Sequence, residues 1–143
     1  MFRRASVIVF AAPLLWTFAA LAAQDSPNDK DKKSLQGKWE LHELYEGGKG
    51  PQKDPGVFLT FDGDRIVLTA EKEDVSATFT LDAGKTPKTM DTKSVRPGFF
   101  GAPWIYELKD DDLKICGGKV RPKALTSTRE DNQSLFVFKR VKK

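Results

Sequence analysis

The sequence is poor in the side chains that most often carry chemistry: its 143 residues include one cysteine, Cys116, and one histidine, His42. One thiol cannot form an internal disulfide, so stability must come from a packed core. A zinc site built from protein side chains needs three or four ligands, mostly histidine and cysteine. We therefore expect neither a metal nor a cofactor.

Catalytic arrangements are equally scarce. The sequence has no Gly-x-Ser-x-Gly segment, and a serine triad would have to use His42. Acidic residues cluster at 110–112 and 71–74, but both clusters fall in polar turns, where such residues are common for hydrogen-bonding reasons. The sequence therefore favours a protein that is not an enzyme.

Long apolar runs are absent except at the N-terminus. Arg3 and Arg4 precede an apolar stretch at 5–21, and small residues follow at the positions that a signal peptidase reads. At about 17 residues this stretch is short for a permanent span. The pattern predicts a signal peptide at 1–23 and export to the periplasm or the extracellular space, with no stable membrane span after cleavage; an uncleaved anchor is the alternative.

The remaining chain has little net charge. Removing Arg3 and Arg4 from 24 basic residues leaves 22 against 20 acidic ones, a balance of +2, which argues against a nucleic-acid partner. Residues 24–34 contain no apolar residue that could be buried, so we predict a mobile polar leader there. Residues 35–143 would form one domain.

Apolar residues alternate along most of this domain, which predicts strands with one face in a core. Along the first strand we expect Trp39, Leu41, Glu43 and Tyr45 to share a face. Turn residues such as Asp62-Gly63-Asp64 separate the runs. Eight or nine strands fit, including weaker ones at 89–94 and 123–128. No long helical period occurs, so the pattern favours a β-sandwich or a β-barrel.

A glycine two residues before a tryptophan at the start of the first strand resembles the entry segment of lipocalins. Here these residues are Gly37 and Trp39, and Arg140 near the C-terminus is the natural partner for the indole. The resemblance implies an all-β fold: a single antiparallel up-and-down β-barrel of about eight strands, lipocalin-like. Trp39 would close one end under the Arg140 guanidinium, and Gly37 would let the backbone bend at the entry.

Most of the chain from Leu35 onward also resembles a lipocalin-like domain family found in many copies in planctomycete bacteria. The segments that carry this resemblance are LQGKWEL, LTFDGDRIVLT, FTLDAGKTPKTMD, IYELKDDDLKIC, RPKALTS and LFVFKRVK. The family has no established activity, so the resemblance implies a small exported barrel and no reaction. The loop SVRPGFFGAP departs from the family by being unusually aromatic.

That aromatic loop and the strand that follows it supply the candidate ligand-binding residues, which are Phe99, Phe100, Trp104 and Tyr106. Its prolines and glycines make a regular strand improbable, and two adjacent phenylalanines cannot both face the core of one. The rings either form a hydrophobic lip at the barrel mouth or tuck back against the barrel.

Two functions remain open. The first is an exported small β-barrel binding protein that holds a small apolar ligand in the barrel. The second is a protein-interaction module of the cell envelope, such as a protease-inhibitor-like barrel, whose arm would be the leader 24–34. A cavity of roughly 300 Å³ or more would favour a ligand, and a filled interior would favour an interaction surface.

Overall fold

The computed structural model describes residues 25–96 and 98–142, so the predicted signal peptide of residues 1–23 lies outside the described residues. In this part of the chain one helix precedes nine strands. Their bounds are α1 Pro27–Leu35, β1 Gly37–Glu46, β2 Lys49–Gln52, β3 Val57–Asp62, β4 Arg65–Ala70, β5 Glu73–Asp82, β6 Lys88–Lys93, β7 Trp104–Lys109, β8 Asp112–Gly117 and β9 Ser134–Arg140.

The strands form one antiparallel sheet that closes on itself. From β3 to β9 each strand pairs with the next along the chain, and β1 pairs with both β3 and β9. β1 and β3–β9 therefore make a closed up-and-down barrel of eight strands, while β2 is a short arm paired with the end of β1. The predicted all-β, lipocalin-like barrel is confirmed.

The up-and-down order gives the barrel two different ends. At the end that we call the base, β1 begins, β9 ends, and short connections at 63–64, 83–87 and 110–111 join successive strands. At the opposite end, the open end, lie the turn at 71–72, the segment 47–56 that contains β2, and the connections 94–103 and 118–133. Side chains at the base therefore contact short turns, whereas side chains at the open end contact the longer connections.

Alternate strand residues fill the barrel, as the period of two in the sequence predicts. The predicted tight turn at Asp62-Gly63-Asp64 joins β3 to β4. The buried members of the interior cluster are Leu35, Trp39, Leu41, Leu59, Phe61, Ile66, Ala77, Phe79, Met90, Phe100, Trp104, Tyr106, Leu113, Ile115 and Phe138. Each large apolar side chain contributes about 1.5–3 kcal/mol by leaving water, so this cluster is the main source of stability.

The first strand contains a β-bulge that the sequence pattern does not reveal. The register between β1 and β9 shifts between Leu41 and Glu43, so His42 is the extra residue. The prediction that Glu43 and Tyr45 continue the inward face is therefore wrong: Leu44 packs against the core instead. The Tyr45 hydroxyl donates to Oε2 of Glu43 at 2.9 Å.

Two segments differ from the expected strands. β6 matches the weaker strand predicted at 89–94, but the strand predicted at 123–128 is wrong, because this stretch belongs to the irregular connection 118–133. Its carbonyls are bonded locally, two of them by the Gln133 amide, rather than by a neighbouring strand. β2 was not predicted as a strand.

The predicted polar leader, residues 24–34, forms most of helix α1 in the described structure. Ser26 caps the helix by accepting a hydrogen bond from the Asp29 amide at 3.2 Å, and Pro27 occupies its first turn. Leu35, at the last turn, is fully buried in the barrel interior. Composition alone misses this helix because a single apolar residue anchors it. No helix among the described residues is long and apolar enough to cross a bilayer.

Candidate functional site

The base of the barrel is filled by Trp39, which has no exposed surface. Its indole Nε1 donates to the carbonyl of Leu35 at 2.8 Å, so the ring is held from the side of α1. The guanidinium carbon of Arg140 lies 4.2 Å from the centroid of the ring, within the range of a cation–π contact. Trp39 and Arg140 are also paired across β1 and β9.

The donors of Arg140 reach backbone and side-chain acceptors around the indole. Nη2 donates to the Ser34 carbonyl at 2.6 Å and Nη1 to the Gln36 carbonyl at 3.1 Å. Nε donates to Asp111 Oδ1 at 3.0 Å. Hydrogen bonds from Lys142 and then from Arg140 outweigh partial desolvation and lower the pKa of Asp111. One guanidinium thus joins the entry segment, the β7–β8 turn and the final strand.

Gly37 lies beside this guanidinium with φ at +115°, a conformation that L side chains rarely adopt. The chain therefore turns from α1 into β1 at a position that only glycine fills without strain. In the glycine–tryptophan segment of the sequence, Gly37 therefore forms this turn and Trp39 supplies the ring that fills the base.

A second polar contact fastens α1 to the barrel from within. Asp31 Oδ2 accepts from the Tyr106 hydroxyl at 2.7 Å and from Lys88 Nζ at 2.8 Å. Burial, followed by the bond to Asp31, raises the pKa of Tyr106, so the hydroxyl remains a donor. Tyr106, a predicted ligand residue, therefore has its polar end at the base, away from the aromatic loop.

At the open end, the rings of the aromatic loop turn inward. Phe100 is 3% exposed, and half-buried Phe99 packs edge-on against three other rings. Its centroid lies 5.0 Å from that of Trp104 and 5.1 Å from that of Phe136. Of the two arrangements considered for this loop, the rings adopt the tucked one.

A groove of about 540 Å³ runs beside these rings and opens to solvent. The residues that line it are Phe99, Gly101, Ala102, Pro103, Trp104, Gly117, Gly118, Lys119, Asn132, Ser134 and Phe136. Its lining includes three aromatic residues, and Lys119 is its one basic residue. Such a size and lining suit a small, mainly apolar molecule.

Gly117 is what allows Trp104 to line this groove. A Cβ at Gly117 would lie 2.6 Å from Cδ1 and 2.9 Å from Nε1 of the indole, which is closer than real contacts permit. The ring therefore lies directly on the backbone of β8. Glycine inside a strand is a known sign of such close approach, and the Gly117-Gly118 pair could have drawn attention to this place in the sequence.

The deep interior is separate from the groove. A second depression, of about 470 Å³, opens between the start of β3 and the β4–β5 turn, where Val57, Leu68 and Val75 line it. Trp39 and Phe61, deep in the barrel, line neither depression. Fully buried side chains occupy that space instead.

The lone thiol lies outside the interior cluster, beneath the connection 118–133. Cys116 is fully buried, and its Sγ lies 3.3 Å from the Thr126 carbonyl. Burial raises the pKa of the thiol, which disfavours the nucleophilic thiolate. His42 is exposed on the bulge of β1. Across 25–96 and 98–142, no three His, Cys, Asp or Glu side chains are grouped closely enough to hold a metal ion.

The structure thus brings together three of the four predicted ligand residues, Phe99, Phe100 and Trp104, and places Tyr106 elsewhere. It adds Phe136 and Gly117, which the sequence analysis did not select. Compared with family models, with curated proteins and with solved structures, the chain gives no significant match.

Proposed function

We propose that this chain is an exported small β-barrel binding protein that holds a small apolar ligand in the groove at its open end. The observation that carries the proposal is the aromatic lining made by Phe99, Trp104 and Phe136 in a groove of about 540 Å³. Sites for small molecules have comparable volumes and are lined mainly by apolar and aromatic side chains.

The proposed ligand site, the groove at the open end, differs from the barrel interior that the sequence led us to expect. A ligand inside the barrel would need space that Trp39, Phe61 and Phe138 occupy, since each is almost completely buried. At the open end Phe99 and Phe136 remain partly exposed, so a ligand there would remove existing apolar surface from water.

We also propose that the chain belongs to the planctomycete lipocalin-like family and is exported. The arrangement of Gly37, Trp39 and Arg140 supports the family, and the apolar run at 5–21 supports export. Export is testable by sequencing the N-terminus of the protein recovered from the cell envelope. A start near residue 24 is expected, and an intact Met1 would contradict cleavage.

The packed interior is the observation that favours the alternative, a protein-interaction module of the envelope. Its proposed arm, residues 24–34, is less well supported. Most of it is helical, and Asp31 and Asn28 are bonded to the barrel. An arm that binds a partner would first have to leave these contacts.

The ligand hypothesis is tested by incubating the protein with a panel of fatty acids and measuring retained mass by native mass spectrometry. In Ala102→Trp an indole would fill the groove. We expect the affinity for the ligand to fall at least about tenfold, which corresponds to about 1.4 kcal/mol. Ala124→Trp is the matched control, because Ala124 lines a neighbouring depression rather than the groove. Absence of any retained ligand, or equal loss in both variants, would contradict the proposal.

A further inference from the structure

The connections 94–103 and 118–133 of the open end are mainly basic. They contain five basic residues, Arg96, Lys119, Arg121, Lys123 and Arg129, against two acidic ones, Glu130 and Asp131, and Lys93 immediately precedes the first connection. The groove lies between these connections, since residues of both line it. Basic side chains therefore lie beside an apolar surface.

Most of these cations have no anionic partner among the described residues. Arg121 is paired with Asp91 at 2.6 Å, but no carboxylate of the described chain forms an ion pair with Arg96, Lys119 or Lys123. All three are accessible to solvent. They are available to an external anion.

The base is different. There Arg140 is paired with Asp111, Lys139 with Asp112, and Lys88 with Asp31. Cations at the base therefore hold the barrel through ion pairs, whereas at the open end Arg121 forms such a pair and Arg96, Lys119 and Lys123 form none among the described residues.

The same two connections expose apolar side chains at their tips. Val95 is fully exposed and Val120 is 80% exposed, the two largest exposures of a large apolar residue among those described. The residue before Val95 is bonded to the barrel, because the Ser94 hydroxyl donates to the Ser76 carbonyl at 2.9 Å. Each valine is next to a basic residue, Arg96 or Lys119.

We propose that these two connections dock the open end on an anionic lipid bilayer surface. Val95 and Val120 enter the headgroup region, while Arg96, Lys119 and Lys123 contact lipid phosphates. Peripheral binding of this kind combines a small buried apolar area with attraction between basic side chains and anionic lipids. The groove would then face the membrane, but the docking does not depend on a ligand in it.

A bilayer fits these features better than a protein partner. The cores of protein interfaces are depleted in lysine and need a continuous contact area of about 800 Å² on each partner. Here the exposed valines are separate tips among cations. A fluid headgroup layer accommodates such tips individually and keeps long basic side chains hydrated.

The test is flotation of residues 24–143 with vesicles of phosphatidylcholine, with or without 30% phosphatidylglycerol. We expect binding to the anionic vesicles only. Binding should be lost as salt is raised to 0.5 M, because the electrostatic screening length then falls to a few ångströms. Lys119→Glu with Lys123→Glu is expected to weaken binding at least about tenfold.

The matched control reverses two exposed lysines at the base, Lys85 and Lys109, and so changes the net charge equally. This variant is expected to lose much less binding. Val95→Ser with Val120→Ser, which changes no charge, is expected to weaken binding about fivefold. Circular dichroism confirms that each variant is folded.

The proposal is overturned if the wild-type protein ignores anionic vesicles, or if both charge-reversal variants lose binding equally. It is also overturned if the protein binds soluble polyglutamate as strongly as vesicles and the valine variant behaves as wild type. That result would identify an acidic polymer as the partner.

Discussion

Trp39 and Arg140 show how two residues stabilise the base of the barrel. An indole is large enough to fill that end, but its N–H requires an acceptor, which the Leu35 carbonyl supplies. The guanidinium covers the ring and simultaneously donates to three acceptors. A planar group with several fixed donors suits this position, and a flexible ammonium does not.

The first prediction follows from that geometry. Arg140→Lys keeps the charge but cannot reach Ser34, Gln36 and Asp111 together, so we expect the free energy of unfolding to fall by about 1–3 kcal/mol. Urea unfolding followed by tryptophan fluorescence measures the change. Arg129→Lys, at an exposed position of the open end, is the control and should have the wild-type midpoint. A stability of Arg140→Lys equal to wild type would show that the stacked cation is dispensable.

At the scale of elements, α1 is stabilised mainly by its attachment to the barrel. A nine-residue helix is too short to persist alone in water. Its cap at Ser26 contributes locally, while buried Leu35 and the Asp31 carboxylate bind it to the base. Lys32 adds an exposed ion pair with Asp64 of the β3–β4 turn.

The second prediction concerns the Asp31–Tyr106 hydrogen bond, tested by a double-mutant cycle. Asp31→Ala and Tyr106→Phe should each destabilise the protein, and together they should cost about 1–2 kcal/mol less than the sum. The reason is that the two groups satisfy each other in a site where Asp31 is only 15% exposed. Thermal or urea unfolding of the four proteins provides the values.

The control cycle uses the exposed pair of Lys33, on α1, and Asp25, which lies just before the helix. Solvent screens this pair, so its single variants should be additive within error. Equal coupling in both cycles would mean that α1 is not bound to the barrel through Asp31.

At the scale of the whole molecule, the barrel depends on its last strand. β9 pairs with both β8 and β1, and Phe138 is fully buried in the core. Without it, two long strand edges and one wall of the interior would be open to water. β2 is the opposite case, because all four of its residues are exposed and it pairs only with the end of β1.

The third prediction compares these two strands. Truncation after Gln133 removes β9 and should abolish cooperative unfolding and near-ultraviolet circular dichroism. Replacing Lys49–Gln52 with glycine and serine residues of equal length should leave both intact, with a change of no more than about 1 kcal/mol. A cooperative transition in the truncated protein would show that barrel closure is not required for folding.

Much of the architecture was predictable from local patterns. Side chains two residues apart lie on the same face of a strand, so alternation in the sequence reports directly which residues are buried. This is why β3, β5, β7 and β9 were predicted. Alternation misleads at His42, because the inserted residue of the bulge exchanges the two faces of β1. It also misleads at 123–128, which lies in an irregular connection rather than in a strand.

The sequence by itself determined an all-β chain with a tryptophan at the entry of the first strand and an arginine near the end of the last. Tertiary structure decided how α1 docks, which residues line the groove and which phenylalanine remains partly exposed. These features depend on contacts between distant residues, such as the bond from Arg140 to Ser34 across 106 positions. A local pattern records which side chains prefer burial, but only the closed barrel determines what each of them meets.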